Sequence, residues 1–260
     1  MTKIMAIANQ KGGVGKTTTT VNLGIGLAAA GKRVLLIDGD PQGSLTIALG
    51  YTTPDVLKPT IADHLQARIE DTVFPEPRGG LLRHIEGVDL MPSNIGLASL
   101  ELPLMMAMDR ERVLKGYIES LKQDYDYILI DCMPSLGLLT INSLAAAEGV
   151  IVPVQAQYLP ARGLEQLLHT IARIRRQINP RLKVGGILIT MAGRTSLARV
   201  SIEAIQAAYG DSLRLFDARI PLSTKVGEAA LAGTSIYNHD PYGKAADAYS
   251  GLVKEVLAIE

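Results

Sequence analysis

Lys11-Gly12-Gly13-Val14-Gly15-Lys16-Thr17-Thr18 follows directly on the apolar run 4–8 and opens a helix-length segment over 17–30. Glycines let successive backbone N–H groups turn toward one anion, and a helix N-terminus adds partial positive charge. A lysine in such a loop reaches the β/γ-phosphate oxygens, and the threonine after it offers a hydroxyl to Mg²⁺. Strand, glycine loop and helix in that order read Gly12, Gly13, Val14, Gly15, Lys16, Thr17 and Thr18 as a nucleotide phosphate-binding loop rather than an ordinary glycine turn. Two details set the loop apart. Gln10 stands where the plain P-loop pattern has its first glycine, and a second lysine, Lys11, stands at the loop mouth.

Working outward, nearly continuous apolar runs recur at 34–37, 88–91, 127–130, 150–154, 184–189 and around 218–220. Continuous rather than alternating runs are the mark of strands buried on both faces. Helix-length segments lie between them, at 111–122, 141–147, 164–178, 197–208 and 244–259. Alternating strands and helices predict a doubly wound α/β fold, a mostly parallel sheet with helices on both faces. No internal repeat or composition shift divides the chain, so residues 1–260 read as a single P-loop NTPase domain. The stretch 51–87, with Pro54, Pro59, Pro75 and Pro77, reads as irregular.

Composition excludes several classes. Hydrophobic residues make up 47% and charged residues 20%, which disfavours disorder and coiled coils. A single cysteine, Cys132, excludes an intrachain disulfide, a four-cysteine zinc site and a fully ligated iron–sulfur cluster. No apolar stretch reaches about 18 residues, so no membrane span is expected, and a reducing cytoplasm fits best. Net charge is zero, yet residues 162–225 hold eleven Lys/Arg against four Asp/Glu, a local surplus of +7. With nine Tyr, two Phe and no Trp, a platform for stacking single-stranded bases is disfavoured.

Two strand ends carry carboxylates. The second strand runs into Asp38-Gly39-Asp40-Pro41-Gln42-Gly43, and the strand at 127–130 runs into Asp131-Cys132-Met133-Pro134-Ser135-Leu136-Gly137. Ligands of open α/β sheets bind at this edge, where a carboxylate can orient water or order a metal's hydration shell. Four apolar residues followed by Asp131 form a Walker B arrangement, which with Thr17 makes the Mg²⁺ site, Asp131 acting through water. Cys132 has no Lys, Arg or His beside it in sequence and reads as a buried, inert thiol.

The Lys-Gly-Gly-Val-Gly-Lys-Thr-Thr loop resembles the deviant Walker A motif of the ParA/MinD group of ATPases. The segment 38–43 is similar to the Walker A′ motif of ParA proteins, and 131–137 to their Walker B loop, apart from Met133 where a proline is usual. Further similarity at 152–155, 164–168, 187–191, 194–197 and 237–241 extends the resemblance to the Soj-type ParA proteins over essentially the whole chain. The short lead before the first strand matches the small form without an N-terminal helix-turn-helix domain.

The resemblance implies an ATPase using ATP and Mg²⁺ that dimerises on ATP binding. Lys16 and Lys11 are then catalytic, Lys11 reaching the partner's nucleotide, and Asp40 positions the attacking water. Met191 and Pro221 are implied in nucleotide binding on the adenine side. The dimer is expected to bind duplex DNA without sequence preference, to work with a ParB-like centromere-binding partner, and to be nucleoid-associated in the cytoplasm. Arg194 and Lys225 match DNA-binding positions of the family. Arg173 and Arg176, opposite the stripe Leu164, Leu167, Leu168, Ile171, Ile174 and Ile178, add an outward basic ridge.

Leu222 and Ser223 depart from the usual Arg-Asn of ParA proteins and bear on adenine contacts and DNA affinity. The last residues lack the basic face of a membrane-surface helix, which separates the chain from the MinD branch. Two rivals share the scaffold. An ATP-dependent metabolic ligase needs a second substrate pocket, and the sequence shows no further carboxylate or His cluster for one; an electron-transfer ATPase needs more cysteines.

Overall fold

A computed structural model describes residues 1–72, 76–156, 161–193 and 195–259, with the side chains of residues 161 and 162 left aside. Among these residues the strands are β1 (Lys3–Ile7), β2 (Val34–Gly39), β3 (Leu82–Arg83), β4 (Asp89–Met91), β5 (Tyr127–Cys132), β6 (Gly149–Gln155), β7 (Lys183–Ala192) and β8 (Leu215–Pro221). The helices are α1 (Lys16–Ala29), α2 (Ser44–Ala48), α3 (Ile61–Ile69), α4 (Glu101–Met106), α5 (Val113–Glu119), α6 (Leu138–Ala146), α7 (Ala161–Gln177), α8 (Ser196–Tyr209), α9 (Thr224–Leu231), α10 (Ile236–His239) and α11 (Lys244–Leu257).

One sheet runs in the order β3-β4-β2-β5-β1-β6-β7-β8, parallel throughout except for the β3–β4 edge pair. The expected doubly wound architecture is therefore present. Neighbouring residues of a strand serve opposite layers, as a period of two requires. Ile4, Ala6, Leu35 and Ile37 pack with residues of α3, α5, α6, α7 and α8. Met5, Ile7 and Leu36 pack with α1, α2, α10 and α11. From β1 the chain crosses to β2 on one side, and β6, β7 and β8 extend on the other. That reversal opens a crevice at the C-terminal ends of the central strands, where ligands of such sheets bind.

Among its described residues, the stretch 51–87 holds regular structure that its prolines do not suggest. Helix α3 starts at Thr60, whose backbone N–H and hydroxyl donate to Asp63 Oδ2 at 2.7 and 3.0 Å in a capping box. Ile61 and Leu65 anchor it to the core. A nine-residue helix bracketed by Pro59 and Pro75 carries too little periodicity to stand out from loop. Helix α5 is shorter than the expected 111–122, and α9 occupies part of a segment without an apolar pattern. On α7, Leu164, Leu167, Ile171 and Ile174 are buried as the stripe predicts. Helix α11 packs into the core through Ala245, Tyr249, Leu252, Val253 and Val256.

Helix α1 carries two interior glycines where neighbouring side chains come close. A Cβ on Gly24 would stand 2.5 Å from Leu36 Cδ2, and one on Gly26 would stand 2.5 Å from Val253 Cγ2 and 2.6 Å from the Tyr237 hydroxyl. We expect Gly26→Ala to destabilise the protein by roughly 1–3 kcal/mol through overpacking, against the ~1 kcal/mol that alanine normally contributes in a helix. Urea unfolding measures this, and a stabilised variant would contradict the close packing of α1 on α11.

Candidate active site

The loop between β1 and α1 is held open by its own backbone geometry and by pins from neighbouring strands. Gly13 and Gly15 adopt φ of 69° and 85°, the left-handed region where a side chain is strained. Asn9 donates from Nδ2 to the Pro153 carbonyl at 2.7 Å, and its Oδ1 accepts the Lys11 N–H at 3.0 Å. From β7, the Thr190 hydroxyl donates to the Val14 carbonyl at 2.8 Å. Asn9 and Thr190 thus fix both limbs of the loop, a role the sequence does not mark because their partners lie far along the chain.

Inside the loop Lys16 is 7% exposed and donates from Nζ to the Lys11 carbonyl at 3.2 Å. Burial lowers its pKa, while the charges of Asp131 and Asp40 act the other way. Lys11 is exposed, with Nζ 3.5 Å from Gln155 Oε1 at the end of β6. The two lysines of one loop therefore occupy different environments.

Strand register assembles the carboxylates. Asp38 and Asp131 are register partners at the C-terminal ends of β2 and β5, and Ile7 of β1 pairs with Asp131 from the other side. The Thr17 hydroxyl donates to Asp131 Oδ2 at 2.6 Å, and Thr20 lies 3.4 Å from Oδ1. Burial, then the neighbouring Asp38 charge, pushes the Asp131 carboxyl up to about 8, opposed by the Thr17 hydrogen bond and Lys16. Burial also raises Asp38, to about 6, against the hydrogen bonds it accepts from Thr46 and Asp40. Asp40 is half-buried, and its Oδ1 accepts the Gln42 N–H at 2.9 Å.

The buried Asp131 carboxylate and the Thr17 hydroxyl place hard oxygen donors beside an anion cradle, which fits a Mg²⁺ carried with a phosphate chain, whereas both oxygens of Asp38 are already taken by Asp40 and Thr46. Open space around Gly12 and Gly13, where an added Cβ would meet nothing within 4 Å, leaves the cradle accessible. Met191, with φ of 49°, follows the loop pin Thr190, and Ala192 pairs with Pro221, so the two expected adenine-side residues stand at adjoining strand ends.

The basic candidates divide. Arg173 and Arg176 are exposed on α7, in the layer of α3, α5, α6 and α8. Lys225 lies on α9, which packs with α2 and α10 in the other layer, and is ion-paired to Glu228 at 2.8 Å. Arg194 lies outside the described residues. Among the described residues no helix is long and apolar enough to cross a membrane.

A strand–glycine loop–helix unit with two lysines, an adjoining Thr17–Asp131 pair and this sheet order define a P-loop ATPase. A family model described as an AAA domain matches residues 2–184. The chain is 43% identical over 261 residues to the sporulation initiation inhibitor protein Soj of Bacillus subtilis (strain 168), covering 99% of each. It is 38% identical to the chromosome partitioning protein ParA of Caulobacter vibrioides (strain NA1000 / CB15N), covering 99% of this chain and 95% of that one. Among solved structures it matches a cobyrinic acid a,c-diamide synthase from Mycobacterium smegmatis with bound ADP and magnesium, at TM-score 0.85 and 39% identity, covering 99% and 94% of the two chains. The chain belongs to the Soj/ParA family of chromosome-partitioning ATPases.

Cys132 sits beside this chemistry without joining it. It is 1% exposed, and burial together with the Asp131 charge pushes its thiol up to about 12. We expect the folded protein to resist iodoacetamide at about pH 8 under conditions that alkylate the urea-unfolded chain completely. Rapid labelling of the native protein, followed by mass spectrometry, would contradict that placement.

Proposed function

We propose that the protein is a nucleotide-gated dimer that binds duplex DNA in its ATP state and uses hydrolysis to segregate or position a plasmid, mobile element or chromosome region. The observation that carries this reading is the pair of lysines in one loop: Lys16 buried in the cradle, Lys11 exposed at its mouth. A single lysine suffices to bind phosphate within one chain; the resemblance to ParA-type ATPases gives the second lysine to a partner copy's nucleotide, and the exposure of Lys11 at the loop mouth supports that role.

In this reading the backbone N–H groups of residues 12–18 and the Lys16 ammonium hold the phosphates, with Met191 and Pro221 toward the adenine. Thr17, and Asp131 through water, hold Mg²⁺, which when bound neutralises charge on the phosphate oxygens. Lys11 of the partner copy adds positive charge at the transferring group, and Asp40 orients the attacking water. Preorganised charge supplies most of the catalysis. Cycle and cargo then require a ParB-like partner and a cytoplasmic, nucleoid-associated location.

Lys16→Ala should weaken ATP binding by about 3 kcal/mol or more, over a hundredfold in Kd, because the variant has no ammonium to meet the phosphate charge in a buried site. Lys11→Ala should bind ATP with near-normal affinity yet stay monomeric. Calorimetry and sedimentation read the two, and an ATP-bound Lys11→Ala dimer would remove the cross-dimer role.

DNA binding should require ATP, ignore sequence and weaken steeply with salt as counterions are released. Because the basic residues lie in both layers, Arg173→Ala and Arg176→Ala should each lower affinity for all duplexes and reduce the salt slope by about one for each phosphate left without its cation. Lys225→Ala should do less, since Glu228 already offsets its charge. Anisotropy over a salt series tests this; absence of ATP-dependent binding at every salt would refute the DNA-carrier reading. The diamide-synthase neighbour motivates one control, an assay for ATP-dependent amidation, in which turnover would favour the ligase alternative.

A further inference from the structure

The loop that carries Asp40 is organised by its neighbour Asp38, whose carboxylate is fully buried and accepts three hydrogen bonds. Oδ1 takes the Asp40 N–H at 3.2 Å, and Oδ2 takes both the N–H and the hydroxyl of Thr46 at 2.8 and 2.7 Å. The Thr46 oxygen in turn accepts the Ser93 N–H at 3.1 Å, from the segment after β4. A single chain of bonds thus runs from the end of β4 through the start of α2 to the backbone of Asp40. Thr46 is as completely buried as Asp38, so water does not compete for these groups.

The chemistry explains the residue types. Three donors converge on Asp38, and an ionised carboxylate has only acceptors to offer. An asparagine would turn an NH₂ group toward at least one of those donors. Thr46 must both donate and accept, which a hydroxyl does and a methyl does not. Between the two anchors the turn 40–43 closes with the Gly43 N–H donating to the Asp40 carbonyl at 3.0 Å. Gly43 stands at φ of 62°, and a Cβ there would lie 3.1 Å from the Ser93 carbonyl. The turn is therefore clamped against the end of β4 by close packing and by hydrogen bonds together.

We infer that Asp38, through Thr46 and Ser93, is a positioning residue that sets where the Asp40 carboxylate stands relative to the phosphate loop. The inference rests on the reading of Asp40 as the water-positioning group and deepens it. Asp38 acts through the turn, removing the freedom that would let Asp40 drift, and displacement of a catalytic group by about 1 Å costs of order a hundredfold in rate.

The test is single-turnover ATP hydrolysis with nucleotide affinity measured in parallel, on the full chain, for Asp38→Asn, Thr46→Val, Thr46→Ser, Asp40→Ala and the Asp38→Asn/Asp40→Ala double variant. Asp38→Asn and Thr46→Val should each slow hydrolysis by about ten- to a hundredfold, with the Kd for ATP changed by less than about twofold. Thr46→Ser, which keeps the hydroxyl, should hydrolyse at close to the unaltered rate. Adding Asp38→Asn to Asp40→Ala should cost nothing further, because the group being positioned is already gone. If Asp38→Asn does not fold, Thr46→Val against Thr46→Ser decides alone.

Normal hydrolysis in Thr46→Val would overturn the inference. So would an equal slowing by Asp38→Asn in the presence and absence of the Asp40 carboxylate, or a rate loss matched by loss of ATP affinity. Near-normal hydrolysis by Asp40→Ala is a separate outcome, which removes the water-positioning reading itself and the inference with it.

Discussion

A 2.6 Å hydrogen bond from the Thr17 hydroxyl to Asp131 joins the first turn of α1 to the end of β5, and the site is organised around it. The bond sits where a carboxylate is fully buried, so every partner that offers it a proton or a positive charge has unusual weight. Removing Thr17 would take away a hydrogen bond that favours the ionised form of the buried Asp131 carboxyl, and removing Asp131 would leave Lys16 with less compensation for its own burial. Helix start, strand end and lysine are interdependent parts of one electrostatic arrangement.

That arrangement is costly in itself. Asp38 and Asp131 lie side by side, and the charge of Asp38 pushes the Asp131 carboxyl toward its neutral form, a conflict that an apolar pair would avoid. Fold stability alone does not call for two adjacent carboxylates under a loop of left-handed glycines. Binding sites are where proteins retain such conflicts, offset by packing elsewhere. Here the offset comes from two continuous apolar layers and from pins such as Asn9 and Thr190, which hold the loop's shape independently of its contents.

The surface follows a different logic. The +7 surplus of residues 162–225 reads as one patch along the chain, yet β7 and β8 form one end of the sheet with helices above and below it. Arginines of α7 and the lysine of α9 consequently lie in different layers, and several charges are locally paired, as in Arg199–Glu203, Arg214–Glu255 and Lys225–Glu228. Such exposed pairs contribute little to stability. They do reduce the charge available to a polyanion.

The glycine loop between strand and helix, the position of Asp40 and Asp131 at strand ends, the burial of Cys132 and the buried stripe of α7 were all legible in the sequence, because each is a local pattern: a turn, a run or a helical period. The parallel architecture was legible for the same reason, through apolar runs that tolerate no exposed face. Helix α3 was not, since its capping box lies among prolines that read as loop, and neither was the share of the basic surplus that each layer receives. The pins were out of reach altogether. Thr190 meets Val14 across 176 residues of chain, and Asn9 meets Pro153 across 144. Sequence determines which side chains can donate or accept; strand order and register decide which of them meet, because those contacts exist only once β2, β5, β1, β6 and β7 lie side by side.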